Sequence, residues 1–255
     1  MLFVPTPSNM NKFLTSIFLI SVTFTYGQTT SWEAIYDVPQ GKKGIKGFTK
    51  LIKTDSNNAE LYWRRGYEHY RTNQYRSAIF DFTKAIAKDT TFNHSNVLAD
   101  RGLAKEMLGM YTESVDDFSN AIAYAFTQDT TIPQGFEKYY FHRGRTKFKM
   151  GDTLNSIRDL DSSLNWWAQH YHARKLRAML LAASGEYQKA MDDYNFLLFK
   201  WNGNGEFSID KDYAIDFYWR GVTKRELNDS SYLKDFEIAS KLKYKKFKPT
   251  DLRGL

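Results

Sequence analysis

The chain contains no cysteine. That excludes disulfides, thiolate metal sites, iron–sulfur clusters, a cysteine nucleophile and a lipid carried on an amino-terminal cysteine. Five prolines and 15 glycines in 255 residues leave little material for flexible linkers. No apolar run reaches the roughly 20 residues that a membrane-spanning helix needs. Catalytic signatures are missing too: there is no glycine-rich phosphate loop after a strand, no His-Glu-x-x-His and no Gly-x-Ser-x-Gly. Of the histidines His69, His94, His142, His170 and His172, only the last two are close in sequence, and no carboxylate motif accompanies them. The Asp-Asp pairs at 116–117 and 192–193 imply no shared cleft. The expectation is a protein that is not an enzyme and holds no metal and no cofactor.

What is present argues for a folded chain. Aromatic residues make up 16% of positions, too many for a disordered segment. The formal charge is +7, from 36 basic and 29 acidic residues. Such an excess favours acidic partners on a surface of mixed charge. Residues 1–27 form a candidate signal peptide: Lys12, then the apolar stretch Phe13–Tyr26, then Thr25-Tyr26-Gly27 before a cut near Gly27. Cleavage there exports the remainder to the periplasm or the exterior. A retained anchor or a buried amino-terminal helix fits the same residues.

Beyond residue 27 the sequence repeats. Tyr62-Trp63-Arg64-Arg65-Gly66, Leu98-Ala99-Asp100-Arg101-Gly102, Tyr140-Phe141-His142-Arg143-Gly144 and Phe217-Tyr218-Trp219-Arg220-Gly221 open four units. A degenerate one opens on Arg174-Lys175-Leu176-Arg177-Ala178. Each is followed by a second segment of helical spacing, such as Ala78, Ile79, Phe82, Ala85 and Ile86. The base period is about 34 residues, lengthened at two joints. Between the halves stand Asn73, Gly109, Gly151, Gly185 and Asn228, residues that close a helix in the left-handed conformation. Glycine within the first helices predicts close approach of the second.

An arginine and an aspartate recur at fixed spacing: Arg65 and Asp81, Arg101 and Asp117, Arg143 and Asp159, Arg177 and Asp193, Arg220 and Asp235. A basic stripe for an anion is one reading. Because each arginine has its own aspartate, semi-buried structural pairs are the expectation.

These residues resemble the tetratricopeptide repeat (TPR) family, over residues 59–243, through Tyr62, Gly66, Ala78, Phe82 and Ala85 and their counterparts. Arg65 stands where the family usually carries leucine. Thr90, Phe126 and Ala168 stand where it ends a repeat in proline. The resemblance implies an all-α, right-handed α-solenoid of tandem helix-turn-helix repeats. Residues 28–58 read as a degenerate amino-terminal repeat or cap, since 44–55 match 78–89. Insertions fall near 126–136 and 200–212, and 244–255 form a basic tail.

In such a solenoid the first helices line a concave face. Family geometry implies that Trp63, Tyr67, Tyr70, Lys138, Phe141, Arg145, Phe148, His172, Lys175, Tyr218 and Arg225 face that groove, with Leu103 and Met179. Aromatics interspersed with cations suit a peptide carrying apolar and acidic groups. The Lys-and-Asn clamp of the chaperone-tail-binding subclass is absent, since Trp63, Tyr67, Ala99 and Leu103 occupy those places. The expected function is an exported, non-catalytic scaffold binding a protein or peptide through the groove. The alternative is a polyanion or cell-envelope module acting through the lysines of 241–248; membrane contact would use that tail, and nucleic acid is not the expected partner.

Overall fold

The computed structural model describes residues 34–35, 38–89, 94–127, 135–198 and 211–242. The expected signal segment, most of both insertions and the tail beyond residue 242 lie outside the described residues. Within them the chain forms helices and no strands. In order these are α1 (Lys42–Thr54), α2 (Ala59–Arg71), α3 (Tyr75–Lys88), α4 (His94–Met107), α5 (Tyr111–Thr127), α6 (Glu137–Lys149), α7 (Thr153–Trp166), α8 (Tyr171–Ala183), α9 (Tyr187–Leu198), α10 (Lys211–Glu226) and α11 (Tyr232–Lys241). From α2 onward they pack as five antiparallel pairs, and each second helix also packs on the first helix of the next pair. The result is an all-α solenoid.

The turns within pairs follow from single residues. Asn73, Gly109, Gly151, Gly185 and Asn228 all have φ between 58° and 87°. This left-handed conformation turns the next amide back to a carbonyl of the last helical turn. The same bond closes every pair, as in Gln74 N to His69 O at 2.8 Å and Met110 N to Lys105 O at 3.0 Å. Helix starts are capped locally: the Asn58 side chain accepts from Glu60 N, and Asp152 from Asn155 N.

The core runs along the array as a series of clusters between successive layers. Phe82, Phe118, Leu160 and Tyr194 are fully buried, each on the second helix of its pair. Gly66 and Gly102 let these helices close up: an added Cβ would sit 2.9 Å from Phe82 and 3.2 Å from Phe118 respectively. Two aromatic residues flanking the insertion after α5 pack together. Phe136, which begins the way into α6, is buried and packs edge-on against Trp166 and Phe126, with ring centres 5.0 and 5.1 Å away.

The arginine–aspartate pairs form a continuous ladder. Arg65, Arg101, Arg143, Arg177 and Arg220 each hold both carboxylate oxygens of Asp81, Asp117, Asp159, Asp193 and Asp235, at 2.6–2.9 Å. The third guanidinium nitrogen points to the second helix of the preceding layer. Its partners there are Thr49, Thr83, Ser119, Asp161 and Asn195. A second cation completes four of the five carboxylates, namely Lys105, Lys147, Arg174 and Lys224 at 2.7–3.0 Å. At Asp81 that place is taken by His69, 3.7 Å away. The ladder thus ties each layer to itself and to its neighbour.

Candidate partner-binding face

Successive first helices touch, α2 with α4, α4 with α6 and α8 with α10. They therefore lie on the shorter, inner side of the array. At these joints an acid receives the neighbour, fully buried at Glu106 and Asp216 and partly buried at Asp100. Between α2 and α4, Trp63 Nε1 donates to Asp100 at 2.8 Å. Between α4 and α6, Glu106 takes Arg145 at 3.0 Å, Lys149 at 2.8 Å and the Thr146 hydroxyl at 2.9 Å. Between α8 and α10, Asp216 accepts from the Tyr171 hydroxyl at 2.8 Å and pairs with Lys175 at 3.1 Å.

The joint between α6 and α8 is different. No acid bridges it by hydrogen bond or ion pair among the described residues, and Glu137 acts on His170 only through its charge; Phe141 meets the rings of His170 and His172, with centres 4.9 and 6.3 Å away. Here a notch of about 60 Å³ opens, lined by Phe141, Arg145, His172, Lys175, Leu176 and Met179. Its base is apolar. Its two flanking cations lean outward to Glu106 and Asp216.

Charge at this face is set by burial and by the cations that oppose it. Burial alone would raise the Glu106 carboxyl; Arg145 and Lys149 outweigh it and hold the group below its usual value. His142 is pushed down to about 3, by burial and then by Arg145, and is neutral. Burial also lowers His170, whose Nδ1 accepts from Ala173 N at 3.2 Å and caps α8. That bond commits one imidazole of the His170–His172 pair to the backbone. Among the described residues no group of three His, Asp or Glu is arranged to hold a metal ion.

The sequence-derived groove residues do not share one setting. Phe141, Arg145, His172 and Lys175 converge on the notch, although Phe141 is only 9% exposed and also belongs to the core with Leu160 and Leu164. Trp63 and Tyr67 line a separate, larger cavity of about 600 Å³ at the amino-terminal end of the same face. Tyr70, Phe148 and Tyr218 pack between helices: Tyr70 edge-on to Tyr75 at 5.7 Å, Phe148 against the Leu176 cluster, Tyr218 on Phe236 at 5.5 Å. Burial accordingly raises the Tyr70 hydroxyl. Lys138 and His172 are exposed at the start of α6 and α8, while Arg225 is exposed at the end of α10, 3.1 Å from Glu226.

Sequence reasoning missed the acids Asp100, Glu106 and Asp216. The signal was available: each lies in a first helix and none falls in the arginine–aspartate register. Asn96, which accepts from the Tyr139 hydroxyl at 2.6 Å, carries no such mark.

No family model matches the chain. A curated relative, translocon at the outer membrane of chloroplasts 64 from Pisum sativum, is 39% identical over 89 residues, 34% of this chain. The matched stretch spans only 14% of that relative's length. Solved structures share the fold at low identity. YrrB, described as a TPR protein with an unusual peptide-binding site, superposes with a TM-score of 0.61 at 18% identity, covering 78% of this chain and 93% of its own. Pseudomonas aeruginosa pilF gives 0.63 at 17%, covering 80% and 84%. A tetratricopeptide repeat protein from Parabacteroides merdae gives 0.57 at 15%, covering 78% and 72%. These alignments run along most of both chains and show a shared fold.

Proposed function

We propose that this tetratricopeptide-repeat solenoid is an exported, non-catalytic scaffold that binds a segment of a partner protein along its inner face. The notch between α6 and α8 carries the reading. Among the described residues it is the inner joint that no acid bridges by hydrogen bond or ion pair, so an apolar floor faces outward with Arg145, Lys175 and His172 around it. A peptide placing an apolar side chain in the notch and carboxylates beside it would meet the exposed Lys138 and His172. The residue types match the aromatic and cationic anchors of protein interfaces. Export rests on the amino-terminal segment and is checked by the amino terminus of the protein recovered from envelope or medium.

The test uses residues 28–255 to capture protein from native envelope extract at low and high salt. A discrete protein retained at high salt, and lost in Lys138→Glu/His172→Glu with melting unchanged, supports the reading. Capture that survives in the folded double variant overturns the notch assignment. Retention of heterogeneous anionic material that falls away with salt would move the function to the basic tail.

A further inference from the structure

The cavity at the amino-terminal end of the inner face lies between Ile35, Val38 and Gln40, α1, α2 and α4. Ile35, Val38, Phe48 and Trp63 supply its apolar wall, and Arg64, Glu68, Arg71 and Asp100 its charges. These charges are not equally satisfied. Arg64 pairs with Glu60 at 2.7 Å. Arg71 bonds to Gln40 at 2.9 Å and lies 3.6 Å from Glu68, which also accepts from Gly41 N at 2.5 Å. Asp100 receives the neutral indole of Trp63 and, among the described residues, forms no ion pair. Its counterparts at the other joints both have cations from the neighbouring first helix, Glu106 from Arg145 and Lys149, Asp216 from Lys175.

A carboxylate withdrawn from water without a cation costs stability. Burial raises Asp100 to about 6, against a smaller opposing effect of the Trp63 bond, so at neutral pH it is ionised. The fold bears that cost beside a cavity of about 600 Å³ with an apolar wall. A lysine-like group fits this arrangement: a four-carbon stem lies along apolar surface while its ammonium reaches a carboxylate and an indole. We propose that Asp100 and Trp63 seat an alkylammonium group, brought by the partner that binds the inner face. The inference rests on the reading of that face as the binding surface, and names the chemistry its amino-terminal end accepts. Charged and titratable groups facing Asp100 are Arg64, Tyr67, Glu68 and Arg71 of α2 across the cavity, with Tyr70 of α2 and Tyr139 of α6 within reach of its charge; the lining residues Ile35, Val38, Gln40 and Phe48 are uncharged.

The experiment follows the Trp63 indole N–H cross-peak in a nitrogen–proton spectrum of the 28–255 chain, identified by its loss in Trp63→Phe. Titration with Nα-acetyl-lysinamide is expected to move it saturably, with affinity at least about ten-fold weaker in Asp100→Asn. Nα-acetyl-norleucinamide, of similar length and uncharged, is expected to leave it in place. Leucinamide, whose ammonium is on the α carbon, separates a peptide amino terminus from a lysine side chain as the source. Affinity for the lysine probe falls as pH drops through about 6, and that fall is absent in Asp100→Asn. No saturable shift, or an equal one with the norleucine probe or in folded Asp100→Asn, overturns the proposal. The wild-type comparison of the two probes stands even if the variant misfolds. Lys138→Glu/His172→Glu leaves this titration unchanged, so failure here and failure of the notch are read separately.

Discussion

Arg143 in α6 holds Asp159 in α7 through two bonds of 2.9 and 2.7 Å, and its remaining nitrogen reaches Ser119 of the preceding layer at 3.1 Å. Lys147 adds a third bond to the same carboxylate at 2.8 Å. Asp159→Ala therefore strands two cations in a half-buried place. Breaking such a pair on one side is expected to cost about 3–5 kcal/mol, whereas Arg143→Met with Asp159→Leu costs less. Urea unfolding of both variants checks the order; equal stability of wild type and Asp159→Ala would show that the ladder carries no weight.

Gly66→Ala tests the close approach in the first pair. Alanine improves helix propensity by up to about 1 kcal/mol, but its Cβ meets Phe82, a fully buried ring, at 2.9 Å. Overpacking wins, for a net loss of about 1–2 kcal/mol. The fourth layer carries Ala178 at the same place, opposite Tyr194. There Ala178→Gly is expected to lose stability through propensity and through its buried methyl, about 2 kcal/mol together. Thermal melts of the two variants decide between helix propensity and packing.

His142 gives the fold an acid limit. Its imidazole, stacked near Phe118 with ring centres 5.7 Å apart, is held to about 3. The unfolded chain takes up a proton near pH 6.5 that the folded one refuses. Stability from this group is whole above pH 6.5 and is lost as pH falls toward 3. Between pH 7 and 4 the loss is about 3 kcal/mol. The stability difference between wild type and His142→Gln, measured by urea unfolding at both pH values, isolates it; an unchanged difference refutes the assignment.

Asp100 acts with the opposite sign. Its carboxyl is raised to about 6 in the fold, so the folded state binds the proton more tightly. Stability falls as pH rises from about 4 to 6 and is flat above. Asp100→Asn keeps an oxygen for Trp63 and removes the charge. It is expected to stabilise the free protein by about 1–2 kcal/mol at pH 7, with no gain at pH 4. A destabilised variant at pH 7 would mean that an undetected partner already balances the carboxylate.

The sequence by itself determined the repeat unit. Its signals are local: helical spacing in residues such as Phe82 and Ala85, Asn or Gly at each turn, glycine opposite an aromatic, and an arginine 15 or 16 residues before its aspartate. Each of these acts within one helix pair, where chain separation is constant and spatial neighbours can be counted off. Tertiary structure decided everything that crosses between layers. The reach of Arg143 to Ser119 spans 24 residues and that of Arg220 to Asn195 spans 25, because insertions change the count while the layers keep their stacking. For the same reason Arg145 and Lys175 read as groove cations and were found leaning on Glu106 and Asp216. Tyr70, Phe148 and Tyr218 share the helical period of the inner face, yet side-chain direction and the angle between layers turn them inward. The notch and the Asp100 cavity belong to no single repeat: each is the space left between helices whose approach depends on packing along the whole array.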